Sequence, residues 1–323
     1  MIRNKIKAFF NPEQFQGWGK KRRYFEGWYF KMVNAEETEA FAIIPGIAMD
    51  DKGRKHSFIQ ILNGKKQTSA NHLFDAGEFF PTSGTFKIKI GENHFSEHRI
   101  LLRLPGISGE IRFSGNIPWP KHWYSPGIMG PYSFVPFMEC YHGIVSMDHI
   151  VSGLLSIDGE PVSFDGGRGY IEKDWGHSFP SAYIWMQTNH FSVPGISLKA
   201  SVAKIPWIGK SFVGFIVGIW LNDRLFKFTT YNHSVLRKSY ADESKVELCI
   251  ENSNYRIDLL AHRDKVSELA SPIKGLMDGR IEESMTSHIE MNLFDRKLQR
   301  TIISDIGRNA GLEVAGNIKE ILI

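Results

Sequence analysis

Short polar turns recur between alternating or apolar runs along most of this chain, and that spacing constrains the fold more than any other feature. Phe41–Met49 and Ser57–Leu62 flank Asp50-Asp51-Lys52-Gly53, and Leu154–Ile157 and Pro161–Phe164 flank Asp158-Gly159. Asp-Gly between hydrophobic runs is a strong short-range hairpin signal. Phe212–Leu221 and Leu225–Tyr231 flank Asn222-Asp223, and Asn252-Ser253-Asn254 separates two runs that alternate, one at Val246, Leu248 and Ile250, the other at Tyr255, Ile257, Leu259 and Ala261. Ile289, Met291 and Leu293 alternate before Leu298–Ile303, and only Ser267–Leu276 has anything of a helical stripe. Alternation of period two puts successive side chains on opposite faces of a strand. The chain therefore reads as all-β, with hairpins in both halves, as two barrels or sandwiches in tandem.

A chain of 323 residues, 42% hydrophobic, can bury the cores of two domains. The midsection from Ile117 to Pro136 is rich in proline and aromatic residues and too apolar for a disordered linker. It reads as a structured segment that lids a cavity or packs between domains. The expected domains are 1–150 and 151–323, with the boundary near 145–165. An aromatic content of 13% favours β structure or an apolar ligand cavity.

Residues 1–23 hold seven of the 39 basic side chains and one of the 35 acids, Glu13, which leaves the rest of the chain close to neutral. Nucleic acid is a poor match for such a body. The basic leader, with Phe9, Phe10 and Phe15, reads either as a solvated terminus or as a segment that touches an anionic membrane. Two distant cysteines, Cys140 and Cys249, and no visible signal peptide point to a cytoplasmic protein, membrane-peripheral if the leader binds lipid. The longest apolar run is about half of a bilayer span. HExxH, CxxC, GxGxxG, Walker and Gly-x-Ser-x-Gly motifs are all missing, so no metal, nucleotide or other cofactor is expected.

Four segments carry candidate chemistry. In Gly167–Pro180, Tyr170, Glu172 and Asp174 share one strand face, and Ile171, Lys173 and Trp175 share the other. Two carboxylates and a phenol on a buried face must be paired or made useful. The alternatives are an acid kept protonated by apolar and like-charge neighbours, or a structural carboxylate paired to Arg168 or Lys173. Tyr24–Lys31 places Tyr24, Glu26, Trp28 and Phe30 on one face; Glu26 is either a site residue or the partner of a nearby Arg, with Trp28 as a plug. Trp185, Gln187, Asn189 and Phe191 would share a face and suit a ligand-orienting wall, with Met186, Thr188 and His190 opposite. Pro136–Gly143 contributes Glu139, Cys140, Tyr141 and His142, the last either a proton shuttle or a core histidine.

Taken together in this order, YFEGWYFK (24–31), FMECYHGIVSM (137–147), GRGYIEKDWGHSFP (167–180) and WMQTNHF (185–191) resemble the tocopherol cyclase family. The likeness runs nearly end to end, through SVAKIP (201–206) and GLEVAG (311–316). That resemblance implies two lipocalin-like, calycin-like β-barrels in tandem, as in the related carotenoid hydratases. It also implies a cofactor-independent intramolecular cyclase, in which a phenol oxygen adds across a prenyl double bond to close a chroman ring. Such a reaction needs an acid for the alkene and a base for the phenol, in an apolar site. Asp174 is the expected acid, with Glu26, Glu139 and Glu172 in reserve; Tyr170, His142 and His177 are the candidates to take the phenol proton. Trp28, Trp175 and Trp185 would line the cation, and Tyr24, Gln187 and Asn189 complete the expected substrate-binding set. A non-catalytic carrier of an apolar ligand, or a related hydratase, is the alternative, because one fold hosts many functions.

Overall fold

A computed structural model describes residues 2–323. The chain divides into two compact units, Met1–Phe179 with Leu269–Arg280, and Pro180–Glu268 with Ile281–Ile323. After helix α1 (Ile2–Phe9), unit one holds β1 (Tyr24–Val33), β2 (Ala40–Met49), β3 (Lys55–Asn63), β4 (Thr68–Asp75), β5 (Phe79–Pro81) and β6 (Lys87–Ile90). Six more follow: β7 (Asn93–Ser96), β8 (Arg99–Leu104), β9 (Ile107–Ser114), β10 (Cys140–Ile157), β11 (Glu160–Ser163) and β12 (Gly167–Gly176). They form one antiparallel sheet in the order β4-β3-β2-β1-β12-β10-β9-β8-β7-β6-β5, with β11 paired to β10. The later strands are β13 (Ala182–Thr188), β14 (Ser197–Trp207), β15 (Lys210–Leu221), β16 (Arg224–Thr229), β17 (Val235–Ala241), β18 (Lys245–Glu251), β19 (Tyr255–His262), β20 (Ser267–Ile273), β21 (Leu276–Asp295) and β22 (Arg300–Gly316). Their order is β16-β15-β14-β13-β22-β21-β19-β18-β17, with β20 on β21. The fold is thus all-β and lipocalin-like, although among the described residues the pairing path of each sheet is open at its ends rather than closed into a barrel.

Three expectations change. The break expected at 150/151 falls inside β10, which pairs with both β9 and β12, so unit one is complete only after β12 and the division lies at Phe179/Pro180. The Pro/aromatic segment joins β9 to β10 within unit one rather than connecting the units. Ser267–Leu276 is mostly strand β20, where pairing with β21 overrides the weak helical stripe. The tip of that hairpin belongs to unit one: Gly275 N–H donates to His177 O (2.7 Å) and Gly275 O accepts from Met49 N–H (3.1 Å). Gly275 has φ +90°, and an added Cβ would lie 2.1 Å from Met49 O, so only glycine fits there.

Unit one's core is rich in packed aromatic rings. Trp28 stacks on Phe86 (5.6 Å between centroids, 10° between planes), and Phe30 stacks on Phe86 and Phe113. Unit two has an aliphatic core that includes Ile184, Met186, Val202, Val217, Leu259 and Leu312. Nor is the start of the chain a solvated terminus throughout. Phe15 is buried in the core of unit one, and Trp28 Nε1 donates to Glu13 O (2.9 Å). Only α1 keeps Ile2 and Ile6 well exposed. Among the described residues no helix is long and apolar enough to cross a membrane.

One buried histidine is expected to make the fold acid-sensitive. His149 lies over Gly169, whose added Cβ would be 2.3 Å from Nε2, and packs 4.7 Å from the Phe113 ring. Burial pushes its pKa down to about 3. An unfolded chain binds that proton near pH 6.5, so stability is full above 6.5 and declines as pH falls towards 3. The loss has an upper bound on the order of 5 kcal/mol, at about 1.4 kcal/mol per tenfold change in proton affinity. His149→Gln should flatten this slope between pH 6.5 and 4 in urea titrations followed by fluorescence. An unchanged slope would assign the acid sensitivity elsewhere.

Candidate active site

Strand pairing assembles the cluster that the sequence could only half describe. β10 and β12 run antiparallel with His142 opposite Asp174 and Ile144 opposite Glu172. Directly opposed residues point to the same face, and a diagonal neighbour remains within reach of long side chains. Accordingly His142 Nδ1 lies 2.7 Å from Asp174 Oδ1, and Nε2 lies 3.5 Å from Glu172 Oε2. Tyr170 Oη donates to Glu172 Oε2, and Cys140 Sγ lies 3.7 Å from Asp174 Oδ1. The result is a continuous line, Tyr170–Glu172–His142–Asp174.

Burial grades along that line. Tyr170 is fully buried and Glu172 nearly so, whereas the side chains of His142 and Asp174 are 14% and 24% exposed. Burial first, and then the adjacent Glu172, push the Tyr170 phenol well above its ordinary pKa, so it stays a donor. Burial and then Asp174 raise the Cys140 thiol likewise, which keeps it protonated and unsuited to nucleophilic attack. Asp174 is anchored through Oδ1 only; among the described residues Oδ2 has no hydrogen-bond partner.

The carboxylates of this cluster are not held by the cations that the sequence offered. Arg168 pairs with Asp148, and Lys173 Nζ pairs with Glu26 Oε1 at 2.5 Å. Glu26 also accepts from Tyr24 Oη (2.6 Å), Gln16 N–H (2.8 Å) and Gly17 N–H (3.0 Å). With both oxygens committed, Glu26 holds the backbone at Gln16 and Gly17. Tyr24, likewise, is raised well above its ordinary pKa by burial and then by Glu26. Lys173 lies 4.7 Å from the rings of both Trp28 and Trp175, so the cation these rings face is the protein's own ammonium.

A cleft of about 440 Å³ opens beside the cluster. His142 lines it with His177, Tyr24, Trp175, Tyr141, Phe134, Phe137 and Met138. Trp175 stacks on Tyr141 (5.6 Å, 10°). His177 is half-buried, and burial lowers its pKa against the opposing pull of Glu139. Glu139 serves the loop mainly through its carbonyl, which accepts from His177 N–H (2.9 Å). Trp185, Gln187 and Asn189 belong to unit two, all buried. Trp185 and Gln187 lie on the face of β13 opposite the core residues Ile184 and Met186. Phe191 leaves that expected face, because β13 ends at Thr188 and Phe191 packs into the core of unit two.

Lys20, Arg23, Gln16 and Phe134 in the cleft wall carried no motif and were missed from sequence. So was a donor set: single ligand atoms of His142, Glu172 and Asp174 lie within 4.8 Å of one another, close enough to share a metal ion. No spacing rule finds such a set when register, not sequence distance, brings the donors together.

A family model described as tocopherol cyclase-like matches residues 109–316, more than half of the chain. The chain belongs to that family. Similar proteins include a probable chloroplastic tocopherol cyclase of Oryza sativa subsp. japonica, 26% identical over 304 residues, covering 75% of this chain and 63% of the rice protein. The chloroplastic tocopherol cyclase of Zea mays is 29% identical over 106 residues, covering 31% of this chain and 22% of the maize protein. The chain therefore spans less than two thirds of the length of either relative. Among solved structures, CghA with Sch210972 superposes with a TM-score of 0.58 at 9% identity, covering 91% of this chain and 88% of CghA. Kievitone hydratase from Nectria haematococca gives 0.50 at 10% identity, with 91% and 89% covered. At such identities these likenesses carry the fold.

Proposed function

We propose that this tocopherol cyclase-like chain is an acid–base enzyme that protonates a carbon–carbon double bond and adds an internal phenol oxygen to the resulting cation. The observation that carries the reading is Asp174, fixed through Oδ1 by His142, with Oδ2 free of hydrogen bonds and a partly exposed side chain next to the cleft-lining His142. A carboxyl proton on Oδ2 goes to the alkene, leaving a tertiary cation and a carboxylate. As the phenol oxygen forms the new C–O bond, its proton passes to Nε2 of His142; the residue lines the cleft, and this nitrogen is buried and has no hydrogen-bond partner. Imidazolium and carboxylate then face each other across 2.7 Å. Return of the Nδ1 proton to Asp174 restores the starting charges but leaves the ring as its Nε2–H tautomer, and proton exchange with water resets it before the next turnover. One proton enters the substrate and one leaves, so the product is an isomer. Glu172, 3.5 Å from Nε2 and held by Tyr170, balances the charge that the ring takes up.

The test is mass spectrometry of the reaction with a prenylated hydroquinone in deuterated buffer. One carbon-bound deuterium in a chroman isomeric with the substrate supports the reading. A product heavier by one water would turn it towards a hydratase, in which water replaces the phenol oxygen. Tight binding without any product would leave a carrier. A linked proposal concerns the leader, where α1 exposes Ile2 and Ile6 beside Arg3, Lys5 and Lys7. Removing residues 2–7 should weaken binding to anionic vesicles at low salt, and unchanged binding would end the membrane proposal.

A further inference from the structure

The cleft beside His142 is lined by two chemically different sets of side chains. Phe134, Phe137, Met138 and Tyr141 are apolar, and the opposite polarity comes from Lys20, Arg23 and His177. No Asp or Glu lines it. Some basic side chains at the surface of this protein have a carboxylate close by, as in Lys121–Glu13 and Lys204–Glu320. Lys20 and Arg23 do not: among the described residues neither forms an ion pair, and the one contact of the Lys20 ammonium is with the Tyr24 ring at 5.6 Å. Both charges act on His177, where they oppose its protonation; Glu139 is the single carboxylate that pulls the other way. The backbone holds Arg23 in an unusual state, with φ +48° and its N–H bonded to Asp50 O (2.8 Å). A left-handed conformation is unfavourable for a non-glycine residue and persists where its surroundings fix it.

We propose that the cleft takes an amphipathic anion, with a prenyl-like or acyl body against the apolar side chains and a carboxylate between Lys20 and Arg23. Two cations without a carboxylate partner, lining an otherwise apolar, aromatic cavity, favour a ligand that brings a negative charge. A cleft of this size lies within the usual range of small-molecule sites, about 300–1,000 Å³. The substrate class proposed above narrows accordingly: the alkene-bearing molecule also carries an acidic group. This narrowing rests on the acid–base reading, but the binding geometry does not.

Binding tests it directly. Palmitate and hexadecanol, matched in chain length and used below their aggregation limits, compete with a fluorescent fatty-acid probe on the full chain. Palmitate should win by about 10- to 100-fold, the worth of charge-assisted hydrogen bonds. Lys20→Gln/Arg23→Gln should remove that preference while hexadecanol binds as before; both side chains are exposed, so the fold is not at risk. Equal affinity for the acid and the alcohol in the wild type overturns the proposal. So does a preference for palmitate that survives in the double variant. Asp174→Asn should keep the preference, and deuterium incorporation is read separately, so failure of the headgroup site and failure of the acid–base chemistry give different results.

Discussion

Asp174→Asn is expected to lower kcat for ring closure by about 10²- to 10⁴-fold, the usual contribution of a positioned general acid. The amide preserves size and keeps an acceptor for the His142 Nδ1 proton, so the thermal midpoint should move little. KM should change by less than threefold, because Asp174 supplies a proton and not a binding surface. His142→Gln should cost less. It removes the acceptor for the phenol proton, which water can partly replace, while Asp174 remains able to protonate the alkene. Tyr170→Phe should leave kcat within about tenfold, since Tyr170 acts through Glu172 and touches no reacting atom. The ordering Asp174, then His142, then Tyr170 is the discriminating result, obtained from single-turnover rates in the presence of excess enzyme. Equal losses at all three positions would mean that the cluster is a structural network and that the acid lies elsewhere.

That ordering shows how far residue pattern alone can reach. Period two was enough to put Tyr170, Glu172 and Asp174 on one face and Lys173 on the other. Partners were not legible, because register between β10 and β12 is set by bulges between Ile144 and Ser146 and between Ser146 and His149. One residue of slip would have turned His142 to the opposite face from Asp174. The same holds for Glu26, whose alternation was visible but whose cation, Lys173, lies 147 positions away on a neighbouring strand. Hairpins were legible because each depends on a local turn. The domain division was not, because β10 runs through eighteen residues without interruption and no composition change marks its passage across position 150. Lys20 and Arg23 read as part of a charged leader, and only the cleft distinguishes them from Lys21 and Arg22.

Lys173→Met should be the most destabilising of the substitutions considered, by about 3–5 kcal/mol, the cost of leaving one member of a buried ion pair alone. Both partners are fully buried, and the methionine stem replaces the aliphatic part of lysine without its charge. What it cannot replace are the bonds from Nζ to Pro12 O (2.8 Å) and Gln14 O, which hold the incoming segment against β12. Glu26→Gln/Lys173→Met should recover part of the loss, because the unpaired carboxylate is gone. Recovery stays incomplete, since one amide oxygen cannot serve Gln16 N–H, Gly17 N–H and Tyr24 Oη together, and each unmet donor costs about 1–3 kcal/mol. Hydrogen exchange separates this account from a general loosening of the core: the amides of Gln16 and Gly17 should lose protection in Lys173→Met before those of β2 and β3. Uniform loss across unit one would contradict it. If the segment does come free, function should follow, for Pro12, Gln16, Lys20 and Arg23 are all walls of the cleft. Ligand binding should therefore weaken in Lys173→Met even though Asp174 and His142, on the other face of the same strands, keep their geometry.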